Sequence, residues 1–139
     1  MIVSEDSNNY VLVLKRGEKL VQNLESFAVS RGIEAAWLSA LGAVLQAELA
    51  YYDLEKKEYQ YHKLDETLEI ASLSGNIALF EGKPTLHAHV VLADQNLKTY
   101  GGHLKEATIG GTCEVYLKLA SGQYKRKQDG GTGLKLLDL

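Results

Sequence analysis

The chain has only one cysteine and one proline among its 139 residues. The single cysteine, Cys113, excludes an internal disulfide framework and favours a reducing compartment. No apolar run reaches the ~18 to 20 residues that a membrane-spanning helix needs. The first residues, MIVSEDSNNY, lack the basic start and the apolar block of a secretory signal. We therefore expect a cytoplasmic protein without a membrane partner.

The chain also lacks an excess of positive charge. The formal net charge is −3 and the sequence pI is about 5.8. Affinity for nucleic acids depends largely on Lys and Arg that neutralise phosphates, so a nucleic-acid surface is not the main expectation. The one dense basic stretch is YKRKQD, in which Lys125, Arg126 and Lys127 are the candidate nucleic-acid contacts. Most short basic runs are solvated turns or strand ends, which is the simpler interpretation.

Apolar residues, by contrast, are sufficient for a core, at 45% of the chain. In EKLVQNLESFAVSRG, apolar residues recur on one helical face, and Gly32 follows as a C-terminal stop. Most of the remainder alternates with period two, as in TCEVYLKLA, which directs Cys113 into the core. The sequence predicts a single α+β domain over residues 1–139, with a mainly antiparallel sheet of about six to eight strands covered by one or two helices.

Two strand segments carry specific expectations. The stretch AAWLSALGAVLQAELAYYD, residues 35–53, favours strands on either side of a bend at Gly42. In LEIASLSGNIAL, simple alternation puts Leu68, Ile70, Ser72 and Ser74 on one face of the sheet.

Three of the four histidines fall in LHAHVVLADQNLKTYGGHL, residues 86–104. Branched and apolar residues predict a strand for its first half. His87 and His89 then share one face, ~6.6 Å apart at ~3.3 Å per residue, while Leu86 and Ala88 face the core. Two imidazoles at this spacing can bind one metal ion. The fourth histidine, His62, is isolated on a tyrosine-rich strand and is predicted to be a surface or packing residue.

The third histidine depends on how the chain turns at ADQN. A turn centred between Gln95 and Asn96 places Gly102 opposite His89, one residue short of His103. A β-bulge at Gly101–Gly102 is predicted to supply the missing residue, because glycine tolerates the conformations that bulges require. The two glycines are therefore site-shaping candidates.

Three converging imidazoles are typical of a zinc site whose fourth position stays open to water or a ligand. His87, His89 and His103 are the predicted metal ligands and zinc is the predicted ion. A carboxylate or backbone carbonyl is expected to orient the rings; Asp94 and Glu106 are nearby in sequence, but nothing in the sequence fixes them as partners. The simpler alternative is that the histidines are structural. No Walker, G-x-G-x-x-G, H-E-x-x-H or G-x-S-x-G motif is present, so no reaction is predicted.

The histidine block, together with LEIASLSGNIAL and AWLSALGAV, resembles the PPC domain (plants and prokaryotes conserved) over roughly residues 10–137. The resemblance implies an α/β domain with a largely antiparallel sheet, of the stand-alone prokaryotic type, that associates as a homotrimer. The family is usually labelled DNA-binding, because plant copies follow a basic AT-hook; this chain has no R-G-R-P-type element. The three histidines match the pattern of metal-containing prokaryotic members.

Three hypotheses remain open from the sequence. The first is a trimeric zinc-binding domain that recognises or acts on a small ligand. The second is a DNA-associated regulator that gathers three copies of the basic stretch into one surface. The third is an assembly module without chemistry, which trimerises and contacts partner proteins.

Overall fold

The computed structural model describes residues 1–139 and contains one helix and nine strands that belong to one sheet. The elements, in chain order, are β1 Ile2–Asp6, β2 Asn9–Lys15, α1 Leu20–Arg31, β3 Ala35–Asp53, β4 Glu58–Leu64, β5 Leu68–Phe80, β6 Lys83–Ala93, β7 Thr99–Leu119, β8 Lys125–Gln128 and β9 Lys135–Asp138. The predicted class is confirmed, although the sheet has more strands than expected.

Two long strands organise the sheet. β3 and β7 pair with each other, and β3 also pairs with β5 and β4, whereas β7 also pairs with β2 and β6. Because β5 and β6 pair as well, the strands β3, β5, β6 and β7 close into a ring. All of these pairings are antiparallel; the single parallel contact joins β5 to β8 at Leu79 and Lys125.

The helix covers one face of the sheet, as its apolar spacing predicted. Leu20, Leu24 and Phe27 are buried in the core. The helix ends at Gly32, whose φ of 63° is left-handed and whose N–H bonds back to the last turn, so the predicted stop is confirmed. Cys113 is fully buried, as the alternation of its strand predicted.

Two irregularities decide which residues face the core. β3 runs continuously through Gly42, where its register with β5 shifts. A side chain at Gly42 would overlap the backbone oxygen of Thr112, so only glycine fits there. In place of the expected bend between two strands, the structure has a register shift within one continuous strand.

The predicted face of β5 holds only in part. Leu68 and Ile70 are buried, but the β5–β6 register shifts between Ile70 and Ser72. An extra residue reverses the side chains that follow, so Ser72 is exposed and Leu73 takes the core position. Simple alternation was wrong here because it assumes an unbroken pleat.

The only helix has 12 residues, and it is neither long nor apolar enough to cross a membrane.

Candidate metal centre

The three histidines converge on one face of the sheet. His87 and His89 lie on β6 and His103 lies on β7, directly opposite His89. Their ring centroids are 5.1 to 5.8 Å apart, and one ligand nitrogen from each lies within 4.8 Å of the others. The predicted faces of β6 are confirmed, because Leu86 and Ala88 are buried on the other side.

The register that aligns His103 with His89 comes from the turn and not from a bulge. Pairing runs without interruption from Ala93–Thr99 to His89–His103, so the predicted bulge at Gly101–Gly102 is wrong. The turn itself contains the additional residue. Leu97 takes a left-handed φ of 62°, and the Asp94 carboxylate accepts hydrogen bonds from the N–H groups of Asn96 and Lys98. A turn followed by one left-handed residue is a common three-residue hairpin loop.

The two glycines differ in whether a side chain would fit at their positions. A Cβ at Gly102 would lie 3.0 Å from the backbone oxygen of Ala50, which is tighter than ordinary contact. A Cβ at Gly101 would lie 3.6 Å from the backbone oxygen of Val90, an ordinary distance. Gly102 therefore permits the close approach of β7 to β3 immediately before His103.

Burial keeps two of the rings uncharged. Loss of hydration, followed by the nearby charge of Arg126, lowers the pKa of His87 to about 4. Loss of hydration, with His87 as the next cause, lowers the pKa of His103 to about 4. A neutral imidazole offers the lone pair that a metal needs.

The donor set fits a divalent metal. Nδ1 of His103 is buried and has no hydrogen-bond partner in the protein. The cluster of possible ligands consists of imidazoles alone, with no aspartate or glutamate among them. A buried nitrogen without a partner is costly, and metal ligation would satisfy it.

Three further residues lie at the site, and the sequence analysis placed none of them beside the histidines. Tyr59, on β4, stacks on the His103 ring with centroids 5.0 Å apart, and burial raises the pKa of its hydroxyl. Asn76, on β5, pairs with His87 across the strands. Arg126 donates from Nη2 to the Asn76 side-chain oxygen at 2.5 Å. The alternation of β4 gave a face to Tyr59, but no local signal links these residues to the histidines.

The other candidates lie elsewhere. His62 is exposed on β4, as predicted. Asp94 is occupied by the hairpin turn, and the Glu106 carboxylate accepts from the N–H groups of Val21 and Gln22 at the start of α1. Neither carboxylate bonds to a histidine, so proximity in sequence did not make them partners of the rings.

Alternate side chains of the basic stretch point to opposite faces of β8. Lys125 and Lys127 are exposed, whereas the side chain of Arg126 between them is directed to Asn76 and to the backbone oxygen of Lys135.

Comparison with known proteins gives a consistent family. The sequence profile of the Plants and Prokaryotes Conserved (PCC) domain matches residues 1–120. A metal-containing protein from Archaeoglobus fulgidus is 41% identical and has a TM-score of 0.89, with 100% of this chain and 99% of that chain covered. A protein from Ralstonia eutropha, provisionally described as DNA-binding, is 30% identical with a TM-score of 0.93, covering 99% of this chain and 95% of that one.

A third relative is a much longer protein. The bifunctional protein GlmU of a Synechococcus strain is 34% identical over an alignment of 127 residues, which covers 89% of this chain. The aligned part is only 19% of the length of that relative.

Proposed function

The chain belongs to the Plants and Prokaryotes Conserved (PCC) domain family, and we propose that it is a metal-binding member of that family. His87, His89 and His103 hold one divalent ion, and zinc suits the donor set best. One coordination position remains open to a small ligand. The observation that carries this proposal is the convergence of three imidazole nitrogens within 4.8 Å.

The chemistry of the donors supports zinc. Imidazole nitrogens suit zinc and related transition ions, whereas Ca²⁺ and Mg²⁺ require oxygen donors that the cluster lacks. Three protein ligands are typical of zinc sites that bind water or substrate at the fourth position. A structural zinc site, by contrast, has four protein ligands. The metal-containing relative from Archaeoglobus fulgidus agrees with this proposal. When bound, such an ion polarises a carbonyl or lowers the pKa of its water.

Elemental analysis of the purified protein tests the proposal. We expect about one divalent ion per chain and, in His89→Ala, a loss of most of that metal. His62→Ala is the matched control, because His62 is an exposed histidine outside the cluster. Wild-type protein that stays far below one ion per chain after incubation with zinc would contradict the proposal.

We further propose that the domain assembles as a homotrimer, as its family resemblance implies. A patch of large apolar side chains lies exposed on the sheet face opposite the helix; its members are Val11, Trp37, Leu41 and Tyr116. Residues paired across antiparallel strands share a face, and the pairs run from Tyr116 through Ser39, Ser74 and His89 to His103. The apolar patch and the histidines therefore occupy one continuous face. Exposed apolar patches commonly mark interfaces between proteins.

DNA association is the second candidate function. It is favoured by the provisional description of the Ralstonia eutropha relative and by the exposure of Lys125 and Lys127. A gel-shift titration at increasing salt tests it, with Lys125→Ala/Lys127→Ala as the variant. Under this function the variant binds more weakly and depends less steeply on salt. An absence of binding by wild-type protein at low salt would remove this candidate.

A further inference from the structure

Arg126 brings an unbalanced positive charge to the histidine cluster. Its side chain bonds to Asn76, which lies opposite His87 on the same face of the sheet. The ion pairs of the protein join other residues, so no carboxylate neutralises this guanidinium. A half-buried arginine beside a metal position is normally matched by an anion.

The guanidinium is held in place but not saturated. Nη1 donates to the backbone oxygen of Lys135 at 2.9 Å, and Nη2 donates to Asn76. Nε is buried and has no acceptor in the protein. Arginine carries five N–H donors in one plane, so these two bonds leave three of them, Nε–H among them, without an acceptor in the protein. N–H donors in this planar arrangement match the oxygens of a carboxylate or phosphate group.

The charge of the metal-bound histidine cluster also favours an anionic ligand. A divalent ion held by three neutral imidazoles keeps both of its positive charges, because no aspartate or glutamate belongs to the cluster. Arg126 adds a third positive charge on the same face, because it is bonded to Asn76, which lies opposite His87. A neutral ligand would leave all of this charge uncompensated in a partly dehydrated site.

We propose that Arg126 anchors a subsite for a small oxyanion, a carboxylate or a phosphate group, next to the metal position. The ligand of the open coordination site is then anionic. This inference rests on the proposed metal-binding function and specifies its ligand class. It also gives Arg126 a role distinct from the exposed Lys125 and Lys127 on either side of it.

The direct test follows the Arg126 Nε–H in the wild-type protein by ¹H–¹⁵N NMR. Zinc-loaded protein is titrated with acetate, with inorganic phosphate and with acetamide, the uncharged analogue of acetate. We expect acetate or phosphate to shift the Arg126 Nε–H signal to saturation, while acetamide does not. The more effective anion identifies the ligand class. The signal of the exposed Arg16 should remain in place. No shift with either anion overturns the inference.

A variant supplies the second readout. Cobalt-loaded Arg126→Gln should keep about one ion per chain but bind the effective anion at least ~10-fold more weakly, as followed in the visible spectrum of the cobalt. Arg16→Gln, the same substitution at an exposed arginine, should bind like wild type. Arg126→Lys keeps the charge without the planar fork and should also weaken binding. Anion affinities equal to wild type in a folded Arg126 variant overturn the inference.

The outcomes separate this inference from the function on which it rests. If metal binds but the anions do not depend on Arg126, the metal function stands and the subsite is wrong. If the wild-type protein takes up no metal, the metal function fails. The NMR titration of metal-free protein then decides the subsite, because an unmoved Arg126 signal overturns it. The NMR titration of the wild-type protein still tests the subsite if both Arg126 variants fail to fold.

Discussion

At the scale of single residues, the histidine site is defined by contacts that each ring makes on different strands. His103 faces His89 across the ladder, stacks on Tyr59 and leaves its Nδ1 without a partner. His87 lies opposite Asn76, which in turn holds Arg126. Burial favours the neutral form of His87 and His103, so both rings are ready for a metal at neutral pH.

The lowered pKa values predict how the metal-free protein responds to acid. A histidine has a pKa near 6.5 in the unfolded chain, but about 4 for His87 and His103 in the fold. The unfolded state therefore binds protons first as the pH falls. The two neutral histidines therefore contribute to the free energy of unfolding above about pH 6.5. This contribution is lost between that pH and about pH 4, by on the order of 1 kcal/mol per histidine after allowance for solvent screening.

Urea denaturation of chelator-treated protein at pH 7.5 and pH 5 measures this loss. His87→Asn/His103→Asn should lose less stability between the two conditions than wild type, because the groups responsible have been removed. The exposed His62→Asn is the control and should follow wild type. Equal losses in wild type and the double variant would show that these histidines are not the source.

At the scale of elements, β7 supports both the site and the helix. Its beginning carries His103, and a few residues later Glu106 accepts hydrogen bonds at 2.8 and 3.1 Å from the N–H groups of Val21 and Gln22. Lys19 at the N-cap provides no side-chain bond to the helix. The helix N-terminus is therefore capped by a carboxylate from the sheet, which also suits the positive end of the helix dipole.

Removal of this cap should destabilise the fold without removing any of the proposed metal ligands. We expect Glu106→Ala to lower the free energy of unfolding by ~0.5 to 2 kcal/mol, the usual cost of losing an N-cap. Denaturant unfolding measures the change. Glu69→Ala is the control, because Glu69 is an exposed glutamate within a strand. Metal content should equal wild type in both variants. An unchanged stability in Glu106→Ala would contradict the capping role.

At the scale of the whole molecule, one face of the sheet packs against the helix and the other is left open. The open face carries the apolar patch and, a few strands away, the histidines. Neighbouring strands lie ~4.8 Å apart, so Ser39 beside the patch and His89 are separated by about 10 Å across β5. A trimer formed through the patch would therefore have the three histidines near a subunit boundary.

Light scattering tests the assembly. We expect a solution mass near three times the 15.3 kDa of the chain. Leu41→Arg places a charge in the exposed apolar patch and should shift the protein toward monomer. Leu97→Arg is the matched control, because Leu97 is 82% exposed in the hairpin turn, away from the patch. A monomeric wild type, or an equal mass for both variants, would contradict assembly through this face.

Local pattern was sufficient for several features of this protein. The helix and its stop at Gly32 follow from apolar spacing and the left-handed freedom of glycine. The shared face of His87 and His89 follows from the period of a strand, which is fixed by the backbone alone. Each of these features depends on residues close together in sequence, so the sequence by itself determined them.

Only the tertiary structure decided what surrounds the histidines. The turn at Leu97, and not a glycine bulge, set the register that brings His103 opposite His89. Tyr59 stacks on His103 and Arg126 bonds to Asn76 opposite His87, both from strands far away in sequence. The periodicity of the sequence and its strand propensity predict which face of the sheet a residue occupies, but not which residue lies next to it on a neighbouring strand. Pairing between distant strands depends on the register and closure of the whole sheet. The sequence therefore determined the metal ligands to be tested, and the fold decided that an arginine lies beside them.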